Sequence, residues 1–361
     1  APMRRCGRCS WVYCCSANIH WKSRAFAFEN RDRGERERGT TKAGADMWLI
    51  KRLLAFVSAV VVVLAVLGYL ASRIWPDRSA EAMLMAYSAS AGLERKSVNT
   101  AFGPVGYFEG GEGAQTVVLL HGIFARKEHW IDLSRQITDG YRVIIPDLPG
   151  FGDNPALLEG QYAYASQVRN IRAVLDAIGL DRFHVAGNSM GGQISGLLAE
   201  VMPRRILSVA FIGSPVGIDI PAKSRFDVMM TRENGTLVVS NMAEFDARNA
   251  LLFPEKPFVP RLIESYWAEL EIAQATTHQQ IWAEVTGSNI RPLQSIAPDI
   301  AQPALVVWCR EDEIFDFSGA QVLVDALPNG RLAALSGCGH VPSLDAPKAA
   351  GRALRVFLDG L

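Results

Sequence analysis

From about residue 97 onward, short apolar runs alternate with stretches of helical spacing. The runs VGYFEGG (105–111), Thr116–Leu120, Tyr141–Ile145, Phe183–Ala186, Ile206–Ile212, Ala304–Trp308 and Arg331–Leu335 have the length and composition of strands. Helical spacing recurs near Lys127–Ile137, over Tyr164–Ile178, from Met190 to about Met202 (stopped by Pro203), over Ser318–Leu327 and over Ala346–Leu358. This alternation predicts an α/β protein with a mostly parallel sheet covered on both faces. Ligands of such sheets sit at the carboxyl ends of the strands.

Two stretches break the rhythm. Residues 214–297 are helical in pattern and rich in Met, Phe, Tyr and Trp; Leu262, Ile263, Tyr266, Trp267 and Leu270 fall on one helix face. A structureless loop of that length would be improbable, so an inserted helical cap is expected, dividing the core into 101–213 and 298–361. Before the core, the 19 residues Leu53–Ala71 carry no charge and are long enough as a helix to cross a bilayer. Tyr69 stands three residues before Ser72, where a signal-peptide cleavage site wants a small residue, so an uncleaved anchor over 47–75 is expected. After Pro76, helical spacing predicts a juxtamembrane helix within 76–100, either simply packed or lying in the interface to receive acyl chains or a second subunit.

The zero formal charge hides a split: residues 1–46 hold 10 Lys/Arg and 5 Asp/Glu, leaving 27 against 32, a net of −5, for the remainder. The basic segment lacks apolar periodicity and is expected to be disordered; Met47 is the expected natural start, with 1–46 as upstream sequence. The flanking charges place the N-terminus inside and the body on the extracytoplasmic side, periplasmic in a bacterium, although starting at Met47 nearly erases that asymmetry. A mildly acidic body gives no reason for a nucleic-acid partner. Four of the six cysteines lie within the first fifteen residues. Their spacing does not match a zinc module, and no metal or other cofactor is expected. Cys309 and Cys338 stand at the ends of neighbouring predicted strands, as two buried thiols or, in an oxidising compartment, a disulfide.

Candidate chemistry is concentrated in FHVAGNSMGG (183–192), a strand breaking at Gly187, exposing Ser189 and restarting at Gly191. G-x-S-x-G is the pattern of a strained strand-to-helix turn that pushes out a nucleophilic hydroxyl. A serine needs a base, and the base needs an orienting carboxylate. Of the six histidines, His20 lies in the tail, His184 in a strand, His129 on a helix, His278 in the cap and His121 in a His-Gly turn. His340, in the glycine-rich turn after the last strand, remains. Asp312 has the best spacing from the end of the preceding strand, with Asp316 in reserve. The turn His121-Gly122-Ile123-Phe124 places the Ile123 N–H to join that of Met190 in an oxyanion hole. Phe124, Trp267 and Trp282 are candidate substrate-pocket residues, and an apolar lid points to an apolar substrate. The loop PDLPGFGDN (146–154) is expected to be a structural rim.

With HGIFARKEHW, GNSMGGQISG, VVWCREDEIFDFSGA and GCGH in place, the chain from about 101 to 361 resembles the α/β-hydrolase family, and within it the membrane-anchored monoacylglycerol lipases and related bacterial phospholipases. It departs at Cys309, where glycine is commoner, and in its long N-terminal tail. The resemblance implies an α/β-hydrolase fold with a helical cap and an N-terminal transmembrane helix. It also implies hydrolysis of lipid acyl esters by Ser189, Asp312 and His340. The alternatives are carbon–carbon bond hydrolysis of ring-fission products, whose enzymes share the GNSMGG elbow, and an esterase acting on soluble substrates. A homodimer is left open.

Overall fold

The computed structural model describes residues 21–233, 236–287 and 291–361, except for the side chains of 21–45, 232 and 233. The chain divides into two units, Ala1–Arg73 and Ile74–Leu361.

The first unit is helical from Trp21 onward, as helix α1 (Trp21–Ile74). Disorder was expected over 1–46; residues 1–20 lie outside the described ones, but 21–46 are helix. Arg, Glu, Lys and Ala are strong helix formers, and absent apolar periodicity removes a packing face without removing that propensity. The part Asp46–Ile74 is long and apolar enough to cross a membrane by length and composition.

In the second unit, α2 (Pro76–Ser90) starts on a proline, which suits a first helical turn because its missing N–H is one that the helix leaves unpaired. The juxtamembrane helix ends there. Leu93–Thr100, expected within it, is strand β1, which pairs antiparallel with β2 (Gly103–Gly110). The remaining strands are β3 (Thr116–Leu120), β4 (Arg142–Pro146), β5 (Phe183–Ser189), β6 (Ile206–Pro215), β7 (Ala304–Cys309) and β8 (Gly330–Leu335). They form one eight-stranded sheet in the order β1-β2-β4-β3-β5-β6-β7-β8. Everything from β4 to β8 in that order is parallel, and β2 joins β4 antiparallel.

Side-chain alternation explains why the inner strands read as unbroken apolar runs. Val118, Leu120, Val185, Phe211 and Val306 pack on one face, with α3 (Tyr164–Ile178) and α4 (Met190–Val201). Val117, Leu119, Ala186, Ala210 and Val307 pack on the other, with Trp130, Ile137 and the last helix, Pro347–Asp359. Both faces are dry, so neither can be polar. The predicted helix near Lys127–Ile137 is two short turns, Lys127–Trp130 and Ile131–Ser134.

Between β6 and β7 the described residues form the helices α5 (Arg225–Glu233), α6 (Met242–Leu252), α7 (Arg261–Ala273) and α8 (Ala275–Gly287), followed by the short turns Leu293–Ile296 and Ala297–Asp299. Asn241 caps α6 by accepting from the Glu244 N–H, while the Glu244 carboxylate reaches back to accept from the Ser240 N–H, a variant of the capping box. Helix α7 packs on α2, where Tyr266 donates to Glu81 at 3.0 Å.

Candidate active site

Strand β5 turns directly into α4, and Ser189 is the hinge, at φ 52 and ψ −116. It is one of two non-glycine residues with positive φ among the described residues, the other being Phe124 at φ 55. Such strain costs about 1–3 kcal/mol and persists only where the surroundings impose it. Here the flanking glycines permit the close approach: a Cβ at Gly187 would lie 2.1 Å from the Gly191 carbonyl, and one at Gly191 2.3 Å from the Leu120 carbonyl.

Beside the elbow, β3 ends in the turn at His121–Phe124. A Cβ on Gly122 would lie 3.3 Å from that of Ser189, so the turn's backbone runs against the serine. Ala125 N–H closes the turn onto Gly122 O at 3.3 Å, while no hydrogen bond among the described residues engages the Ile123 N–H. Met190 opens α4, where a helix leaves its first N–H groups without intrahelical acceptors. His121 locks the turn: its Nδ1 donates to Gly122 O at 2.7 Å, and its Nε2 accepts from Leu148 N–H at 2.9 Å. Complete burial lowers its pKa to about 4, so the ring is neutral and its tautomer is fixed by these two partners. The other end of the turn is held by buried Asp147, which accepts from Lys127 N at 2.8 Å and Nζ at 2.7 Å. The 146–154 loop is thus a structural rim; Gly152, at φ +58, leaves room for the Asp147 carboxylate, which a Cβ would meet at 2.2 Å.

Asp312, in the turn after β7, points its Oδ2 at His340 Nδ1, 3.1 Å away. Its Oδ1 accepts from the N–H groups of Ile314 (2.9 Å) and Phe315 (3.1 Å). The sequence did not single out Ser214, near the end of β6. Its hydroxyl donates to Asp312 Oδ2 at 2.7 Å and lies 3.0 Å from His340 Nδ1. Asp316, the reserve, is elsewhere: its Oδ1 accepts from Ser318 N–H and starts the next helix. Ser189, Asp312 and His340 are all buried, and Ser189 and His340 line one cleft.

Further residues fix the histidine loop. Asn188 donates to the Ile212 carbonyl at 3.0 Å and the His340 carbonyl at 2.9 Å, tying that loop to the elbow. His340 N–H donates to Leu252 O, at the end of α6, at 2.9 Å. Cys309 and Cys338 form a disulfide joining the end of β7 to the turn before His340.

Ile123, Phe124, Leu237, Phe245, Leu252 and Trp267 give the cleft its apolar walls. Trp282 is not among the cleft residues. It packs behind Phe124 and against Phe226, both at 6.3 Å, because its helix turns that face toward the cap's own core.

A strained serine, a buried carboxylate–imidazole pair and two nearby backbone N–H groups with no turn or helix partner among the described residues are parts that acyl transfer can use. A family model described as the alpha/beta hydrolase fold matches residues 115–347. Lipase 1 of Psychrobacter immobilis is 28% identical over 70% of this chain and 80% of its own length. Monoacylglycerol lipase abhd6-A of Xenopus laevis is 25% identical over 68% of this chain and 76% of its own. The crystal structure of a membrane phospholipase A, a bacterial virulence factor, superposes with a TM-score of 0.76 at 30% identity, covering 84% of this chain and 98% of that one.

Proposed function

Because this chain belongs to the α/β-hydrolase family, we propose that it is a serine ester hydrolase, a lipase or esterase acting on acyl esters of lipids such as monoacylglycerols or lysophospholipids. Ser189 Oγ attacks the ester carbonyl as His340 Nε2 takes its proton. Asp312 holds the opposite ring nitrogen and stabilises the imidazolium. The N–H groups of Ile123 and Met190 receive the oxyanion, each worth about 10²–10³ in rate. Collapse of the tetrahedral intermediate returns the proton to the leaving alcohol and leaves an acyl-Ser189. Water, deprotonated by His340, then releases the acid. The observation that carries this reading is the Asp312–His340 contact beneath the cleft that also holds the strained Ser189.

The apolar helix before the body supports attachment to a membrane through residues 53–71. The disulfide supports an oxidising compartment, and hence a body on the extracytoplasmic side.

The test is a panel of p-nitrophenyl esters, monoacylglycerols and lysophospholipids with wild type and Ser189→Ala. Ester turnover in wild type and a loss of several orders of magnitude in the variant are expected. Turnover of a ring-fission dienoate without ester turnover would favour carbon–carbon hydrolysis instead.

A further inference from the structure

Beyond Phe124 lies a second cavity, bounded by Arg126, Asp153, Tyr266, Gln274 and His278. It shares Phe124, Ala125, His129, Trp267 and Glu271 with the cleft that holds Ser189, so the two adjoin. The walls differ in balance: the cleft is mainly apolar around the serine, with Arg248, Lys256 and Glu264 further out, whereas this cavity sets polar and charged groups beside Phe151 and Leu270.

Three of those groups have no partner. The Nδ1 atoms of His129 and His278 and the Nε1 of Trp267 are buried and make no hydrogen bond. His278 is 6% exposed. A buried polar atom left unsatisfied is costly, so three on residues that line this cavity, two of them shared with the cleft, favour a ligand that both donates and accepts. Burial lowers the pKa of both histidines, that of His129 to about 3, and each neutral ring then offers one donor and one acceptor. The charges, by contrast, are already matched. Arg126 pairs with Glu128 and Asp153, Asp153 also with Lys127 and Arg95, and Glu271 with Arg248. No charge is left over for a phosphate. Phe124 stands between the two cavities with its ring stacked on His278 at 4.5 Å, on the turn that carries Ile123.

We infer that this cavity is the alcohol subsite of the proposed ester hydrolase, receiving an uncharged, hydroxyl-bearing leaving group such as glycerol while the acyl chain occupies the apolar cleft. The inference rests on the ester-hydrolase reading and divides its substrate between two chemically distinct chambers. Hydroxyl groups supply both the donor and the acceptor that His129, His278 and Trp267 lack.

The experiment compares a 1-monoacylglycerol, the methyl ester of the same acid and the matching lysophosphatidylcholine on wild type, His278→Phe and His278→Leu, since His278 lines the second cavity and not the cleft. Phenylalanine keeps the stacked ring and removes its nitrogens. The expected result is a loss of about 10-fold in kcat/KM on the monoacylglycerol, the worth of roughly one hydrogen bond, with the methyl ester changed less than about 2-fold. The methyl ester also reports that the variants fold. Equal losses on both esters, or no loss on the monoacylglycerol in either variant, would overturn the subsite. So would a wild-type preference for the lysophospholipid that the variants abolish. Failure of the underlying reading looks different: no ester would then depend on Ser189 at all.

Discussion

Ser214 Oγ donates to Asp312 Oδ2 at 2.7 Å, the same carboxylate oxygen that faces His340. With its lone pair 3.0 Å from His340 Nδ1, the hydroxyl closes a three-membered ring of acid, base and serine. The Nδ1–H is shared between two acceptors, and the imidazole can neither rotate nor change tautomer without breaking both.

Ser214→Ala removes one bond to a buried carboxylate and one acceptor for the ring. A fall in kcat of about 10-fold with little change in KM is expected, since the bond serves orientation rather than binding. Ester kinetics on the variant decide the point; an unchanged kcat would show the hydroxyl to be a bystander.

Asn188 acts on the backbone of the same loop through its bonds to the Ile212 and His340 carbonyls. Replacing it with alanine leaves two buried acceptors without their donor. The expected cost is about 1–3 kcal/mol of stability, read by urea denaturation, together with reduced activity from a misplaced His340.

The disulfide closes 29 residues of sequence. In the chain-entropy account, a loop of that size stabilises by about 3–4 kcal/mol. The Cys309→Ala/Cys338→Ala protein should be less stable by that amount in denaturant unfolding, melt at a lower temperature and lose activity faster on warming. Thiol titration of unfolded, unreduced protein containing these two cysteines checks the premise: neither should react.

Acidification should destabilise the fold. Burial lowers the pKa of His121 and His184 to about 4 and of His129 to about 3, from an ordinary value of 6.5. The unfolded chain therefore binds more protons between pH 6.5 and about 4, and stability falls as pH falls through that window. Asp345 works the other way: burial raises its pKa from 3.8 to about 6, so its contribution is lost as pH rises through that range. Three histidines outweigh one carboxyl, and denaturation midpoints should be clearly lower at pH 5 than at pH 7.5. Equal midpoints would mean these rings are not held neutral.

The inner sheet was legible because dry strands must be apolar on both faces, and α3 was legible over its full length because its periodicity is clean. Strand β1 was not: LERKSVNT is polar, lies at the sheet edge and buries only Leu93, so nothing in its pattern opposes helix. Ser189, Asp312 and His340 could be singled out from order and spacing, since the elbow's glycines and the loops after β7 and β8 constrain where a triad can form. Spacing from the end of β7 already favoured Asp312 over Asp316, although both lie in one short turn, and the fold directs the Asp312 carboxylate toward His340. Ser214 gave no signal. It is a serine before proline whose role exists only because β6 and β7 are neighbours in the sheet. Trp282 misled for a related reason: helical spacing gives a face but not what the face meets.

The central claim, that Ser189 is the nucleophile, is tested most directly by treating the protein with an alkyl p-nitrophenyl phosphonate and locating the adduct by peptide mass spectrometry. One equivalent of p-nitrophenol, a single phosphonyl group on Ser189 and parallel loss of ester turnover are predicted. An adduct on any other residue, or full esterase activity in protein labelled at Ser189, would contradict the account.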